Sequence, residues 1–200
     1  TGSGEKLRKF LGDNVAIETV VDFGDLQRFE GVTTYPAIVT LRKGAAEDAG
    51  VYLSLESHQL VTLKNAETTL EILDEVNSPW VRCDYDSANW ITLDTVYDTA
   101  RALNHHYDLL GKHIVSCHAK DIWVENRLCV HIQDGCPGKG NMDFKTLFRR
   151  MEELNPDFPV ISEGNSTDEL PKVSELFHNT ARELGIRVLD VNEEPATAAR

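Results

Sequence analysis

Four short apolar segments of the sequence each end in a polar residue that can bind a divalent cation. The segments LSLE, VRCDYD, IVSCH and VISE end at Glu56, Asp86, His118 and Glu163, and the intervals between them can each hold a helix. The carboxyl ends of parallel strands in a (β/α) barrel lie on one face, so residues far apart in sequence can meet there. The pattern therefore predicts a site for Mn, Mg, Co or Zn with these four residues as ligands.

Two of the four residues, Glu56 and Glu163, are also candidates for catalysis. Two carboxylates on one ion can exchange protons with a substrate when they lie on opposite faces of the reacting carbon. The cation polarises a carbonyl and stabilises an enediolate, while one carboxylate removes a proton and the other returns one. This is the chemistry of sugar epimerases and of ketose/aldose isomerases, and it is the function we predict.

From residue 51 the chain alternates strand-like and helix-like segments. Strands are predicted at Val51–Leu55, Trp80–Tyr85, His113–Cys117 and Pro159–Ser162. Helices are predicted to begin near Asn65 and to span Leu93–Leu110, Phe144–Leu154 and Leu170–Leu184, with a long loop up to Gly140 before the third. Asn65 can cap the first helix, and Gly185 can end the last. Four successive βα units require a parallel sheet, because each right-handed crossover returns the next strand beside the last.

Residues 1–48 have a different pattern. A short helix is predicted at Glu5–Leu11, followed by an antiparallel pair of strands at Ala16–Phe23 and Tyr35–Leu41 and a linker at Lys43–Gly50. We therefore predict an α/β fold in three parts: an N-terminal segment with a helix and a strand pair (1–48), a half (β/α) barrel (49–190) and a flexible tail (191–200).

The charge of the chain limits its partners. Acidic residues number 33 against 20 basic ones, a formal charge of −13, which disfavours binding to nucleic acid and favours small molecules or cations as partners. No apolar run approaches the roughly 20 residues of a membrane span, and the N-terminus lacks a signal-peptide pattern. We expect a cytoplasmic protein that binds neither nucleic acid nor a membrane.

The four cysteines and two of the histidines are interpreted as structural residues. Four cysteines, at positions 83, 117, 129 and 136, have no CxxC spacing, so we predict reduced and mostly buried thiols rather than a zinc or disulfide framework. His105 and His106 fall within a predicted helix, away from the strand ends, and we expect both to be exposed to solvent.

Several motifs carry a family resemblance. The segments LSLESH, DYDSANW, CHAKD, DGCPGKGNMDF and ISEG, in this order, resemble the C-terminal half of the sugar phosphate isomerase/epimerase superfamily, the xylose isomerase-like TIM barrels that also include endonuclease IV. The resemblance covers about residues 51–188, and its most specific part is the PGKGNMDF loop. It implies ligands after the fifth to eighth strands of the barrel, which map onto Glu56, Asp86, His118 and Glu163, with the glutamates as the acid/base pair.

Further residues near the strand ends are candidate substrate contacts. His58, Asn89, Lys120 and Arg127 can bind sugar hydroxyls or a carboxylate. Lys120 and Asp121 can alternatively form a pair that orients His118. Asn89 stands where the family often has a histidine, so the three-zinc arrangement of endonuclease IV is not reproduced and DNA repair is a lesser alternative. His131 and Asp134, in the long loop, are weaker candidates for closing over the substrate.

The resemblance accounts for only four of the eight βα units of a barrel, which takes roughly 250 residues when complete. Four parallel strands without closure leave two exposed edges, so we expect a homo-oligomer. Residues 1–48 weakly resemble a segment of adenine-specific DNA methyltransferases, although no NPPY-type tetrapeptide is present. The alternatives to a sugar isomerase are therefore a non-catalytic truncated or fused half barrel and a fragment of a DNA methyltransferase or restriction system.

Overall fold

The computed structural model describes residues 15–22, 37–43 and 52–188. The first two ranges form strands β1 (Val15–Asp22) and β2 (Ala37–Lys43), which pair antiparallel. The predicted N-terminal strand pair is thereby confirmed. The predicted helix at Glu5–Leu11, most of the predicted linker and the tail at 191–200 lie outside the described residues.

Residues 52–188 contain alternating strands and helices. The strands are β3 (Leu53–Glu56), β4 (Val81–Asp86), β5 (Ile114–Ala119), β6 (Asp121–Val124), β7 (Ile132–Gly135) and β8 (Val160–Ser162), and the helices are α1 (Ala66–Val76), α2 (Thr99–Leu110), α3 (Phe144–Leu154) and α4 (Leu170–Leu184). Four strands form one sheet in the order β3-β4-β5-β8, and the pairs β4–β5 and β5–β8 are parallel. This is the predicted α/β architecture of a partial barrel, with its strand ends on one edge of the sheet.

Local capping explains where several helices begin and end. The Asn65 side chain accepts a hydrogen bond of 2.8 Å from the Thr68 amide before α1, as predicted, and Asp143 accepts one of 3.0 Å from the Thr146 amide before α3. Helix α4 ends at Gly185, whose φ of 71° lies in the left-handed region that glycine adopts without strain.

Helix α2 is shorter than the sequence predicts. It begins at Thr99 rather than Leu93, because the preceding residues form turns held by local side-chain bonds. The Thr92 amide donates to Oγ1 of Thr95 at 3.0 Å, and this bond gives the backbone an alternative to the helical pattern.

The predicted long loop after β5 contains a hairpin. Strands β6 and β7 pair antiparallel, with Asp121 opposite Gly135 and Val124 opposite Ile132. A Cβ atom on Gly135 would lie 3.0 Å from the Trp123 ring, so the indole packs directly on the glycine backbone. The segment DIWV carries strand-forming residues that the loop prediction missed, whereas IQDG has only Ile132 of this kind, so β7 depends on its pairing with β6.

The core of the sheet lies around the two central strands. Tyr85, Ile114 and Cys117 are completely or almost completely buried on β4 and β5, as are Leu103 and Leu147 on the helices. Cys83, Cys117 and Cys136 are buried and Cys129 is exposed, so three of the four cysteines are buried, as predicted.

The two neighbouring histidines of α2 have different environments. His105 is exposed, as expected, and its Nε2 lies 2.7 Å from the Glu67 carboxylate. The same expectation was wrong for His106, which is 7% exposed and has Nδ1 2.8 Å from the Tyr85 hydroxyl. His106 shares the buried face of the amphipathic helix with Leu103 and Leu110, and this position accounts for its burial.

None of the helices in the described part of the chain is long and apolar enough to span a membrane.

Candidate metal centre

The structure brings the four proposed ligands together. Glu56 and Asp86 are the last residues of β3 and β4, His118 is the penultimate residue of β5, and Glu163 follows β8 directly. Each residue offers one ligand atom, and these atoms all lie within 4.8 Å of one another. Because neighbouring parallel strands end at the same edge, side chains separated by more than 100 residues in sequence meet at one point.

Hydrogen bonds between successive strand ends fix the positions of these residues. The Ser57 hydroxyl accepts a bond of 3.0 Å from the Asp86 amide, and the Ser87 hydroxyl donates one of 3.1 Å to the His118 carbonyl. At the other end, the Glu163 amide donates to the Ala119 carbonyl at 3.2 Å. The backbones that carry the four side chains are thus tied to one another.

The His118 imidazole faces two of the carboxylates. Its Nδ1 atom lies 3.0 Å from Oε2 of Glu163 and 3.6 Å from Oε1 of Glu56. The close carboxylates of Glu163 and Glu56 raise the pKa of His118 to about 10, although partial burial acts in the opposite direction. Of the two ring nitrogens of His118, Nδ1 is the one that faces Glu163 and Glu56, so it is the candidate ligand atom.

The other ring nitrogen of His118 faces Asp84. Nε2 of His118 lies 3.5 Å from Oδ2 of Asp84, and the Ser116 hydroxyl donates a 2.7 Å hydrogen bond to Oδ1 of the same aspartate. Sequence reasoning missed Asp84. The signal was available in the DYD pattern, because alternation along a strand places Asp84 on the same side of β4 as Asp86.

Lys120 lies among three carboxylates. Its Nζ atom is 3.0 Å from Oδ2 of Asp86, 3.0 Å from Oε1 of Glu163 and 3.4 Å from Oδ2 of Asp134. Burial lowers the pKa of Lys120, but Asp86 and Glu163 outweigh this effect and raise it above the usual value. The ammonium group therefore remains charged at neutral pH.

Two of the carboxylates around Lys120, those of Asp86 and Glu163, have pKa values shifted in opposite directions. Burial raises the pKa of Asp86 to about 6, because the attraction to Lys120 offsets only part of the desolvation cost. Burial also acts to raise the pKa of Glu163, but His118 and Lys120 outweigh it and lower that pKa to about 2. Glu163 therefore stays ionised throughout the neutral range.

Asp121 does not pair with Lys120 to orient His118, so that interpretation of the sequence was wrong. The Asp121 side chain is buried and accepts hydrogen bonds of 2.8 Å from the amides of Ile122, Gly138 and Gly140, and of 3.0 Å from the amide of Met142. A carboxylate with four backbone donors holds the PGKGN loop against the start of β6. This contact gives the PGKGNMDF motif its structural role.

The other candidate substrate contacts bond to neighbouring groups of the protein. Nδ1 of His58 accepts a hydrogen bond of 3.0 Å from the Leu60 amide, and the Asn89 amide group donates to the Ser57 carbonyl at 3.0 Å. Arg127 lies in the turn between β6 and β7, where it pairs with Glu125. Nε2 of His131 is 4.0 Å from the same glutamate. His131 and Asp134 differ in this respect: among the contacts of the described residues, only Asp134 reaches the cluster, through its ion pair with Lys120.

The donor atoms of the cluster fit a divalent cation. Asp86 Oδ2, His118 Nδ1 and Glu163 Oε2 are buried and make no hydrogen bond of normal geometry, although each is close to an oppositely charged group. A buried polar atom without a hydrogen bond is unfavourable unless another partner satisfies it. Three carboxylates and one imidazole form a mixed oxygen and nitrogen set of the kind that binds Mn, Mg, Co or Zn.

Comparison with known proteins identifies the family. The model of the xylose isomerase-like TIM barrel family matches residues 37–187, and the chain belongs to this family. The predicted superfamily is thereby confirmed. The match begins inside the segment that weakly resembled DNA methyltransferases, and the comparisons give no support to that second resemblance. No curated protein matched the chain.

Solved structures show the same fold at low identity. The xylose isomerase domain protein from Planctomyces limnophilus is 22% identical, with a TM-score of 0.54 over 70% of this chain and 48% of its own. The xylose isomerase-like TIM barrel protein from Mycobacterium smegmatis, solved in complex with magnesium, is 16% identical, with a TM-score of 0.52 over 70% of this chain and 45% of its own. The chain thus spans slightly less than half the length of these structures.

Sugar epimerases are among the weaker structural matches. D-psicose 3-epimerase from Clostridium cellulolyticum H10, solved with D-tagatose, is 16% identical, with a TM-score of 0.46 over 69% of this chain and 50% of its own. At these identities the likeness concerns the fold alone, so a function must be argued from the side chains of this chain.

Proposed function

We propose that this chain carries the metal site of a sugar or sugar-acid isomerase or epimerase, with Glu56, Asp86, His118 and Glu163 as the ligands of one divalent cation. The observation that supports this proposal most directly is the convergence of four donor atoms, from the ends of four strands, within 4.8 Å of one another. A bound cation would polarise a substrate carbonyl and stabilise the negative charge that develops when a neighbouring carbon loses its proton.

Glu56 and Glu163 are the proposed proton-transfer pair. Glu163 remains in its basic form at neutral pH, and Lys120 engages only its Oε1 atom, so Oε2 faces the centre of the cluster. The Glu56 side chain is about half exposed, with a relative accessibility of 51%, and can meet a substrate that enters from solvent. One of the two groups, in its carboxylate form, removes the proton next to the carbonyl, and the other, in its protonated carboxylic acid form, delivers a proton to the opposite face of that carbon.

The other candidate contacts have more limited proposed roles. His58 and Asn89, on the loops after β3 and β4, are proposed to contact sugar hydroxyls through side-chain atoms that are not used in their hydrogen bonds to Leu60 and Ser57. Arg127, in the β6–β7 turn, is proposed to contact a substrate carboxylate or hydroxyl from the rim. Lys120 is a less suitable substrate contact than the sequence indicates, because three carboxylates already surround its ammonium group.

The test is proton exchange into solvent. The chelator-treated chain is loaded with Mn²⁺ and incubated in D₂O with keto-sugars, and deuterium at the carbon next to the carbonyl is followed by NMR. We expect incorporation by the wild type and a loss of about 10²–10⁴-fold in Glu163→Gln and Glu56→Gln, the usual contribution of a general acid or base. Glu183→Gln is the matched control, because that glutamate pairs with Lys145 at the surface.

Two outcomes would count against this function. Exchange that persists in folded Glu163→Gln would refute the catalytic role of that residue. Stoichiometric Mn²⁺ binding without exchange on any keto-sugar would favour the alternative of a non-catalytic half barrel that keeps the ligands.

A further inference from the structure

The surroundings of Lys120 are those of a bound cation. Oxygen atoms from Asp86, Glu163 and Asp134 lie 3.0, 3.0 and 3.4 Å from Nζ. The Lys120 side chain is only 8% exposed and that of Asp86 is completely buried. Since an ammonium group has three hydrogens and no acceptor, three carboxylates use all of its capacity.

Glu163 connects this position to the proposed metal centre. Its Oε2 atom lies 3.0 Å from Nδ1 of His118, and its Oε1 atom lies 3.0 Å from Nζ of Lys120. A carboxylate that places one oxygen in each of two cation positions is the bridging arrangement of two-metal sites, in which the ions are about 3.5–4 Å apart. The Oδ2 atom of Asp86 is buried and points to Lys120 without a hydrogen bond of normal geometry, so a cation is the partner that this position calls for.

We propose that the Lys120 ammonium group occupies a second cation position of the cluster and thereby restricts the site to one divalent ion. This inference rests on the proposed function of the four ligands. The four ligand residues and Asp134 together bring four carboxylates, and the Lys120 ammonium group supplies a positive charge among three of them, where a second divalent ion would otherwise find its ligands.

The position can accept a metal ion when the lysine side chain is removed. Asp86, Glu163 and Asp134 would each offer an oxygen there, and the Asp134 side chain is 52% exposed, so water can complete the coordination. Mn²⁺ suits such an oxygen-rich site. The arrangement therefore predicts how many metal ions the chain binds, and this number can be measured without any catalytic activity.

The experiment measures how many Mn²⁺ ions the full chain binds. Calorimetric titration and native mass spectrometry of chelator-treated protein are applied to the wild type, Lys120→Ala and Lys120→Arg, with circular dichroism to confirm folding. We expect one ion in the wild type, two in Lys120→Ala and one in Lys120→Arg, which keeps the charge. Lys145→Ala removes a lysine from an exposed ion pair with Glu183 and should bind one ion.

A second variant tests the identity of the new ligands. Adding Asp134→Asn to Lys120→Ala removes one carboxylate from the vacated position and should weaken binding of the second ion at least tenfold, while the first ion binds as before. Lys120→Ser replaces Lys120→Ala if the alanine variant does not fold.

The outcomes separate this inference from the proposed function. One ion in the wild type and one in folded Lys120→Ala would overturn the inference and leave the proposed metal site intact. Two ions in the wild type would overturn it as well. No ion in the wild type but one in Lys120→Ala would support the cation position and contradict the proposed function, and no ion in either protein would contradict both.

Discussion

Nε2 of His118 lies 3.5 Å from Oδ2 of Asp84, while Nδ1 of the same ring faces Glu163 at 3.0 Å. The imidazole is thus placed between a carboxylate outside the cluster and the carboxylates within it. Such an outer carboxylate orients a ligating histidine and increases its basicity. Asp84 is itself held by the Ser116 hydroxyl, so its orientation is set by the neighbouring strand.

Replacing Asp84 should weaken metal binding without removing a ligand. We expect Asp84→Asn to lower Mn²⁺ affinity by about 10–100-fold, because the His118 ring loses the carboxylate that orients it. Calorimetric titration gives the affinity, and Asp108→Asn, at an exposed aspartate paired with Arg150, is the matched control. Equal affinities for Asp84→Asn and the wild type would exclude an orienting role for Asp84.

The buried His106 should make the stability of the fold depend on pH. Burial lowers the pKa of His106 to about 4 from an ordinary value of 6.5, so the unfolded chain binds more protons between these two values. The contribution of neutral His106 to the free energy of unfolding is complete above pH 6.5 and is lost as the pH falls through 4. The change is about 3 kcal/mol for this group.

This pH dependence is measured by denaturant unfolding between pH 7 and 4.5. In His106→Gln, which keeps an acceptor for the Tyr85 hydroxyl, the loss of unfolding free energy over this interval should be smaller than in the wild type by about 2–3 kcal/mol. His105→Gln is the control, because that histidine is exposed. If the free energy of unfolding falls with pH by the same amount in the wild type and in His106→Gln, then His106 is not the group responsible.

The contact between Asp121 and the PGKGN loop predicts a strict requirement for glycine at position 140. A Cβ atom there would contact the Ile122 carbonyl and lie 2.5 Å from Oδ1 of Asp121. We expect Gly140→Ala to lower the free energy of unfolding by at least about 2 kcal/mol, because the carboxylate and the backbone must move apart.

Gly185→Ala serves as the comparison for Gly140→Ala. Gly185 has φ of 71°, but a Cβ atom at this position would meet no other atom within 4 Å, so only the backbone conformation opposes alanine there. The expected cost is about 1 kcal/mol. Denaturant unfolding of both variants should rank Gly140→Ala as the more destabilised, and the reverse order would show that the loop can relax.

Within the described residues, the two outer strands of the four-stranded sheet each pair on one side only, and this predicts self-association. Strands β3 and β8 are the outer strands of this sheet, and Ile161 on β8 is 47% exposed. An edge strand with an exposed apolar side chain is a template for pairing with another chain. We expect the wild type to sediment as a dimer or larger species at micromolar concentration, and Ile161→Lys to shift it towards the monomer.

Leu128→Lys is the matched control for the edge-strand variant. Leu128 is fully exposed in the turn between β6 and β7, so the same change there adds an equal charge to an apolar surface position away from β8. Sedimentation of this control should resemble that of the wild type. A monomeric wild type would contradict the expected homo-oligomer.

Local patterns in the sequence were sufficient for the order of the elements and for the strand-end residues. Helices α3 and α4 have the predicted bounds, Asn65 caps α1, and Gly185 ends α4. Glu56, Asp86, His118 and Glu163 could likewise be recognised in the sequence as the residues at the ends of four predicted strands. Apolar runs, caps and chain breaks depend on neighbours within a few residues, and the parallel arrangement follows from the βα alternation.

Tertiary structure decided the environment of each side chain. The sequence alone did not indicate that three carboxylates surround Lys120 or that His106 lies in the core beside Tyr85. The DYD pattern placed Asp84 on the same side of β4 as Asp86, but its contact with His118 depends on the pairing of β4 with β5. It also left the β6–β7 hairpin and the Asp121 contacts undetected. Most of these features depend on residues well separated along the chain, whose distances and burial are set by packing rather than by local preference.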